Sequence, residues 1–319
     1  MSTATLLERT TSGPVVPTPG VTDDARYYEY SRAANPIGAK LISRVPYHSF
    51  FPSLYASGPT RVVPLDLSAE LGTDAPATGP GLIANFVRVL SNESVVLAPQ
   101  ATSLVLYVIE GEGTIEQGAT RFAFSRGGFV TLPGGVAATV SAGTLSTFYY
   151  VNDEPLLRYL GVTPSTQRFE PTYYPYEMAQ TELRRIAADP DARKRSRISV
   201  LLGNRHFPQT RTATHTLWAM YGLLPAESEQ KPHRHQSIAL DFIVQAPAGC
   251  YTLVGTELDG NGDIANPQRV DWVSGMAFVT PPGYWHAHFN ESREEALLIP
   301  IQDAGLQTYL RALDIRFQA

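Results

Sequence analysis

The sequence predicts an all-β protein made of two strand-rich domains on one plan. Three observations carry this. Short apolar runs alternate with turns throughout, and Gly and Pro, 25 of each in 319 residues, punctuate them, the pattern of many short strands. The series of strands stops at a Pro- and Tyr-rich connector and then starts again. Each half also ends in a turn of one shape, "GGFVTLPGGVAATVSA" in the first and "GMAFVTPPGYWHAHFN" in the second. Aligned on Gly127 and Gly275, both read Gly, five residues, Pro, one residue, Gly, two residues, and then Ala138 or His286. Such self-similarity marks a duplication.

Along the chain, residues 1–60 read as an irregular arm rich in Thr, Pro and Ser, with one helix over Asp23–Ala34, expected to wrap a domain or a partner subunit. Residues 61–165 form the first barrel or sandwich, with strands in "LIANFVRVL", "LVLYVIEGEGTIEQG", "TRFAFSRGGFVTLPGG" and "LSTFYYV". Residues 166–195 are a linker and the helix "EMAQTELRRIAADPDA". Residues 196–319 repeat the strand pattern and close with a helix in "AGLQTYLRALDI". The basic run Arg193–Arg197 reads as a solvated turn before a strand.

Composition narrows the function. A net charge of −5 with no dense basic patch argues against nucleic acid and anionic membrane surfaces. One cysteine, Cys250, excludes an internal disulfide and a thiolate zinc cage. No leader pattern and no apolar stretch long enough to span a bilayer is present, so a soluble, cytoplasmic protein is expected.

The stretch "KPHRHQSIALDFIV" places His233 and His235 one residue apart at the head of an apolar run. Residues i and i+2 of a strand share a face, so both imidazoles enter one cavity. Together with Gly275, Pro281, Gly283, His286 and Asn290, this resembles the two motifs of the cupins. The resemblance implies two double-stranded β-helix (jelly-roll) barrels with a few peripheral helices, and a metal held by His233, His235 and His286. Three protein ligands leave coordination positions open, which suits catalysis. His48, His206 and His215, taken singly, read as core or surface groups. The glutamate many cupins add is missing, its places being Ala239 and Leu240, so the uncompensated metal should favour an anionic, chelating substrate. In the first half, Pro99–Thr102 and Ala138 occupy the ligand positions. That half is expected to hold no metal and to serve as a packing partner or dimer surface.

Residues 215–244 are similar to the iron-binding region of the gentisate and salicylate dioxygenases, which are bicupins. The resemblance implies Fe(II), with Mn, Zn, Ni or Co as other ions such a site accepts, and O2-dependent cleavage of a small aromatic or other chelating substrate. It gives His288 a role toward substrate or oxygen, as acid or base, and places Trp218 on the pocket wall, where a plain core tryptophan is the competing reading. A homodimer or higher homo-oligomer is expected. Three features depart from the family: the ligands lie in the second barrel, Asp241 stands where an arginine would receive a substrate carboxylate, and Gly222 replaces a polar contact. In an unbroken strand Asp241 has the parity of the histidines, so it should face the cavity and disfavour simple hydroxybenzoates relative to neutral diphenols, aminophenols or ammonium-bearing substrates. Rival functions are a thiol dioxygenase, a metal-dependent isomerase or hydrolase, and a non-catalytic small-molecule-binding cupin.

Overall fold

The computed structural model describes Thr18, residues 20–192 and residues 195–318. The start of the predicted arm, Arg193 and Lys194 lie outside these described residues. The described residues divide into two compact units, one up to Ile42 and one from Ser43 onward. In the first, the helix expected over Asp23–Ala34 is only one turn, α1 (Tyr30–Ala33), capped by the Glu29 side chain. None of its residues is buried, and a short helix without packing does not recover the cost of nucleation.

The second unit is a duplicated β-structure. Its first repeat runs β1 (Ser49–Phe50), a 3-10 turn (Pro52–Leu54), β2 (Arg61–Pro64), α2 (Ser68–Leu71), β3 (Ile83–Val89), β4 (Ser94–Leu97), β5 (Ser103–Glu110), β6 (Glu112–Gln117), β7 (Thr120–Ser125), β8 (Phe129–Pro133), β9 (Ala138–Ala142), β10 (Ser146–Asn152) and α3 (Glu154–Leu160). Its second runs β11 (Thr172–Tyr174), α4 (Tyr176–Ala187), β12 (Ile198–Leu201), β13 (Trp218–Leu224), β14 (Ser228–His235), β15 (Ala239–Gln245), β16 (Cys250–Gly255), β17 (Gln268–Asp271), β18 (Ala277–Thr280), β19 (Trp285–Asn290), β20 (Ala296–Gln302), α5 (Ala304–Tyr309) and β21 (Ile315–Phe317).

Each barrel is a pair of antiparallel sheets. In the first, the order β11-β8-β5-β10-β3-β2 is matched by β4-β9-β6-β7. In the second, β1-β18-β15-β20-β13-β12 is matched by β17-β16-β19-β14-β21. The leading strand of each repeat crosses to the other barrel, β1 onto β18 and β11 onto β8. Ser49–Phe50, within the expected arm, is therefore an edge strand of the second barrel. At the two matching turns Gly127 and Gly275 have φ of +82° and +85°, and a Cβ there would meet the Tyr176 ring at 2.4 Å or the Tyr55 hydroxyl at 2.5 Å. Glycine is required at both by backbone and by space.

Three buried clusters hold the unit together. One fills the first barrel with Val87, Leu97, Leu106, Ile115, Val140 and Phe148 among others. A second, smaller one occupies part of the other barrel, with Ile243, Val254, Phe278 and Leu298. The third joins the barrels back to back: Phe86, Tyr107 and Tyr149 meet Tyr221, Leu240 and Phe242, with Tyr149 stacked on Phe242 at 5.0 Å. Burial of each such side chain contributes roughly 1.5–3 kcal/mol.

The closing helix is shorter than expected. α5 ends at Tyr309, Arg311 turns left-handed at φ +59°, and the chain comes back as β21 to pair with β14. Among the described residues no helix is long and apolar enough to cross a membrane.

Candidate metal centre

β14 and β19 run antiparallel, with His233 opposite His286 and Gln230 opposite His288. Strand alternation turns His233 and His235 from one, and His286 and His288 from the other, into the second barrel. All four are buried. Ring centroids lie 4.0 Å apart for His233 and His286, 5.0 Å for His235 and His286, 5.7 Å for His286 and His288, and 5.9 Å for His233 and His288. His48, His206 and His215 pack instead against Phe50 or Phe207 and take no part in the cluster.

The hydrogen bonds sort the four rings into two kinds. Nδ1 of His233 lies 3.1 Å from the Lys231 carbonyl, Nδ1 of His235 2.8 Å from that of Ser237, and Nδ1 of His286 3.1 Å from that of Tyr284. A carbonyl only accepts, so each Nδ1 carries the hydrogen and each Nε2 is left unprotonated, that of His233 facing the Arg197 guanidinium. The Ser237 hydroxyl also donates to Gln302, which fixes the His235 side further. His288 differs: its Nδ1 meets the Thr252 hydroxyl at 2.8 Å, and that hydroxyl accepts from the Trp272 indole at 2.8 Å. Thr252 then gives its own hydrogen to Nδ1, which puts the proton of His288 on Nε2, a buried atom that has no partner.

Spacing and hydrogen bonding select different triads. The nitrogens of His233, His286 and His288 lie within 4.8 Å of one another. The unprotonated Nε2 atoms, however, belong to His233, His235 and His286, and Nε2 of His235 is buried with no partner. Lone-pair direction is the stronger criterion, because a second shell that fixes Nδ1–H is what readies Nε2 as a ligand. The orphaned His235 nitrogen is an acceptor that a cation would satisfy, so His233, His235 and His286 could hold a metal and His288 could hold a proton beside it.

Electrostatics agree with neutral rings. Loss of hydration pushes His235 down to about 4 and holds His233, His286 and His288 well below the ordinary imidazole range. The neighbouring Arg197 guanidinium acts in the same direction on all four.

Arg197 is the residue that sequence reasoning missed. Arg195 of the same basic run is exposed and pairs with Asp189, as a solvated turn should. Arg197 is half-buried and turns into the barrel, with Nη2 3.4 Å from Nε2 of His233 and Nη1 3.9 Å from the Met220 sulfur. No carboxylate pairs with it among the described residues. It stands between two hollows. One, of about 140 Å³, is lined by Trp218, Met220, His233, His235, Ile315 and Phe317, among others; the other, of about 220 Å³, by Ser199, Gln230, His288 and Leu298, among others. Trp218 is half-buried on the wall of the first, its indole nitrogen without a partner.

Asp241 does not share a strand with the histidines, since residues 236–238 break the chain between β14 and β15, which lie in different sheets. Even so, Leu240 and Phe242 face the first barrel and Ile243 the second barrel's core, so alternation turns Asp241 inward. Its carboxyl accepts from Thr280 at 2.8 Å. Burial pushes it up to about 6, against the opposing effects of that bond and of Arg197.

Comparison with known proteins follows the same lines. No protein-family profile matches the chain. A gentisate 1,2-dioxygenase from Ralstonia sp. is 28% identical over 149 residues, 46% of this chain but only 38% of that protein. The structure superposes on salicylate 1,2-dioxygenase from Pseudaminobacter salicylatoxidans with a TM-score of 0.68 at 14% identity, covering 86% of this chain and 88% of that one. The adduct of that enzyme with gentisate gives a TM-score of 0.67 at 13% identity over 92% and 90%. The chain has the two-barrel fold of the cupins. Within that cupin fold the buried histidines lie in the second barrel, and no histidine occurs anywhere in residues 61–165.

Proposed function

We propose that this cupin is a metal-dependent dioxygenase, with His233, His235 and His286 as ligands, that acts on a small aromatic or similar substrate bearing adjacent oxygen donors and a negative charge. The observation that carries the reading is the set of buried imidazoles whose Nδ1 atoms are tied to carbonyls, leaving Nε2 unprotonated. The likeness to gentisate and salicylate dioxygenases supports the reaction class. Fe(II), the favoured ion, would supply the one-electron chemistry that allows dioxygen to react with an aromatic ring; neutral ligands would leave it the charge to attract chelating oxygens.

The chain's own groups account for the rest. With Nε2 of His233 engaged, the Arg197 guanidinium has no anionic partner in a half-buried site. A buried charge needs one, and a planar guanidinium matches a carboxylate. His288 holds a proton at Nε2, positioned by Thr252 and Trp272, for donation to oxygen charge that develops as the ring opens. Trp218, Met220 and Phe317 supply an apolar wall that excludes water.

The test is oxygen uptake by metal-depleted protein reloaded with Fe(II), over hydroxybenzoates, catechols, aminophenols, diketones and thiols. Uptake matched one to one by loss of an aromatic substrate is expected. Full turnover without oxygen, or with Zn alone, overturns the proposal in favour of Lewis-acid chemistry, and uptake with thiols alone overturns the aromatic substrate.

A further inference from the structure

The wall of the histidine chamber is not all built from the barrel. Ile315 and Phe317 line it, and both sit on β21, three residues appended to the outer edge of β14. Among the described residues the first barrel has no counterpart, its β4 being the edge of its sheet. The extra strand is present only where there is a chamber to cover.

Its register explains the contact. Gln318 N–H donates to the Pro232 carbonyl at 2.9 Å, so the hydrogen-bonded positions alternate from there and His233–Phe317 falls at a non-hydrogen-bonded pair. Side chains approach most closely at such pairs, and the Phe317 ring stacks on His233 at 6.0 Å and 19°.

The attachment is weak on several counts. Pro232 has no N–H to return to Gln318. Arg316 lies directly opposite Arg234, and like charges across a strand pair repel. Each guanidinium is drawn elsewhere, Arg316 to Asp314 at 2.7 Å and Arg234 over the Trp285 ring at 5.1 Å. Phe317 remains 53% exposed despite its stacking. Few buried contacts and solvent-exposed backbone bonds define segments that open locally at low cost.

We propose that β21 is a removable wall of the histidine chamber, lifting from β14 to admit substrate and metal and closing Phe317 over them. This rests on the reading of the chamber as a metal site. The test uses two substitutions of opposite effect at a position outside the chamber. Arg316→Pro removes a pairing N–H, and Arg316→Glu turns the repulsion with Arg234 into attraction. With Co(II) loaded, chelator capture of the ion should be faster by about tenfold in Arg316→Pro and slower by about threefold in Arg316→Glu. Hydrogen exchange, which needs no metal, should show the Arg316 and Gln318 amides at least about 100-fold less protected than those of β15 and β20. Capture rates unchanged in both variants, or β21 amides as protected as β20, overturn the proposal. A wild type that holds no Co(II) refutes the metal reading instead, and amide exchange alone then decides the wall.

Discussion

The two barrels place different residues at the same register positions. In the first, Leu97 lies opposite Ala138 and Ile115 opposite Val140. In the second the corresponding pairs are His233 with His286 and Thr252 with His288, so the register gives the place of His233 to Leu97 and not to the expected stretch Pro99–Thr102, which lies beyond the end of β4. On the facing sheets Leu106 corresponds to Asp241, since each pairs with the equivalent residue of β8 or β18, Val130 or Phe278. One frame thus carries an aliphatic interior in one copy and a polar, hollow one in the other. Each aliphatic side chain buried in the first copy contributes roughly 1.5–3 kcal/mol. Each unpartnered polar atom in the second costs about 1–3 kcal/mol. The back-to-back contact through Tyr149 and Phe242 lets the first barrel support the second, which is a physical reason to keep a barrel without a site.

The comparison breaks most directly at its central position. His286→Ala gives the second barrel the residue of the first at position 138, removing one of three ligands from an open site with no spare donor. Metal affinity should fall by more than about 100-fold, beyond the range of second-shell changes. Titration calorimetry with Zn or Co(II) measures this, with wild type expected to bind one ion per chain. Unchanged affinity would transfer the ligand role to His288, as the spacing of the nitrogens suggests.

Acid should act on the second barrel alone. The four depressed imidazoles favour the neutral form when folded, so their share of stability is complete above pH 6.5 and is lost as pH falls toward 4. For His235, pushed down to about 4, the loss is about 3 kcal/mol. Asp241 and Asp303, both raised to about 6 by burial, work in the opposite direction over the same window, because the folded state takes up their protons first. The depressed imidazoles, with His215 lowered by burial in the same direction, outnumber the two carboxyls, so the metal-free protein should lose stability between pH 7 and pH 4.5. Urea midpoints across that range measure it, and His288→Val, the residue found at position 140, should flatten the slope. A flat wild-type profile would mean the imidazoles are hydrated.

Sequence reasoning reached what is local and periodic. The His-x-His pair and the turn from Gly275 to Asn290 meet inside one barrel because a strand fixes parity over a few residues, and the duplication was legible from two glycines that only a left-handed turn requires. What was not legible depends on distant packing. Arg197, the residue of the basic run nearest β12, turns inward whereas Arg195 pairs with Asp189 outside, and nothing in "RKRSR" separates the two. The Thr252–Trp272 pair that orients His288 is assembled from residues 16 to 36 positions away from that ring. β21 is too short for any pattern, and an apparent closing helix runs into it. Asp241 faces inward as parity predicts, although the strand that justified the parity is broken.

Asp241 offers the finest test of how far the polar copy has diverged. Its place in the first barrel is held by Leu106, and that of its partner Thr280 by Leu132. At pH 7 a carboxyl raised to about 6 is mostly ionised, so the interior holds one negative group on β15 and one positive group, Arg197, beside His233. A substrate carboxylate drawn to Arg197 is opposed by Asp241. Asp241→Asn removes that charge while its amide oxygen still accepts from Thr280. The ratio of kcat/KM for a hydroxybenzoate over its amino or decarboxylated analogue should therefore rise by about tenfold, the effect of roughly 1–2 kcal/mol of relieved repulsion. Stability at pH 7 should rise too, by up to about 3 kcal/mol, since a buried ionised carboxyl is replaced by a neutral group. A stability gain with no change in the ratio would make Asp241 a structural charge held away from substrate. A ratio that moves toward the amino compound would mean that Arg197 and Asp241 bind one anionic group together, with Asp241 sharing a proton.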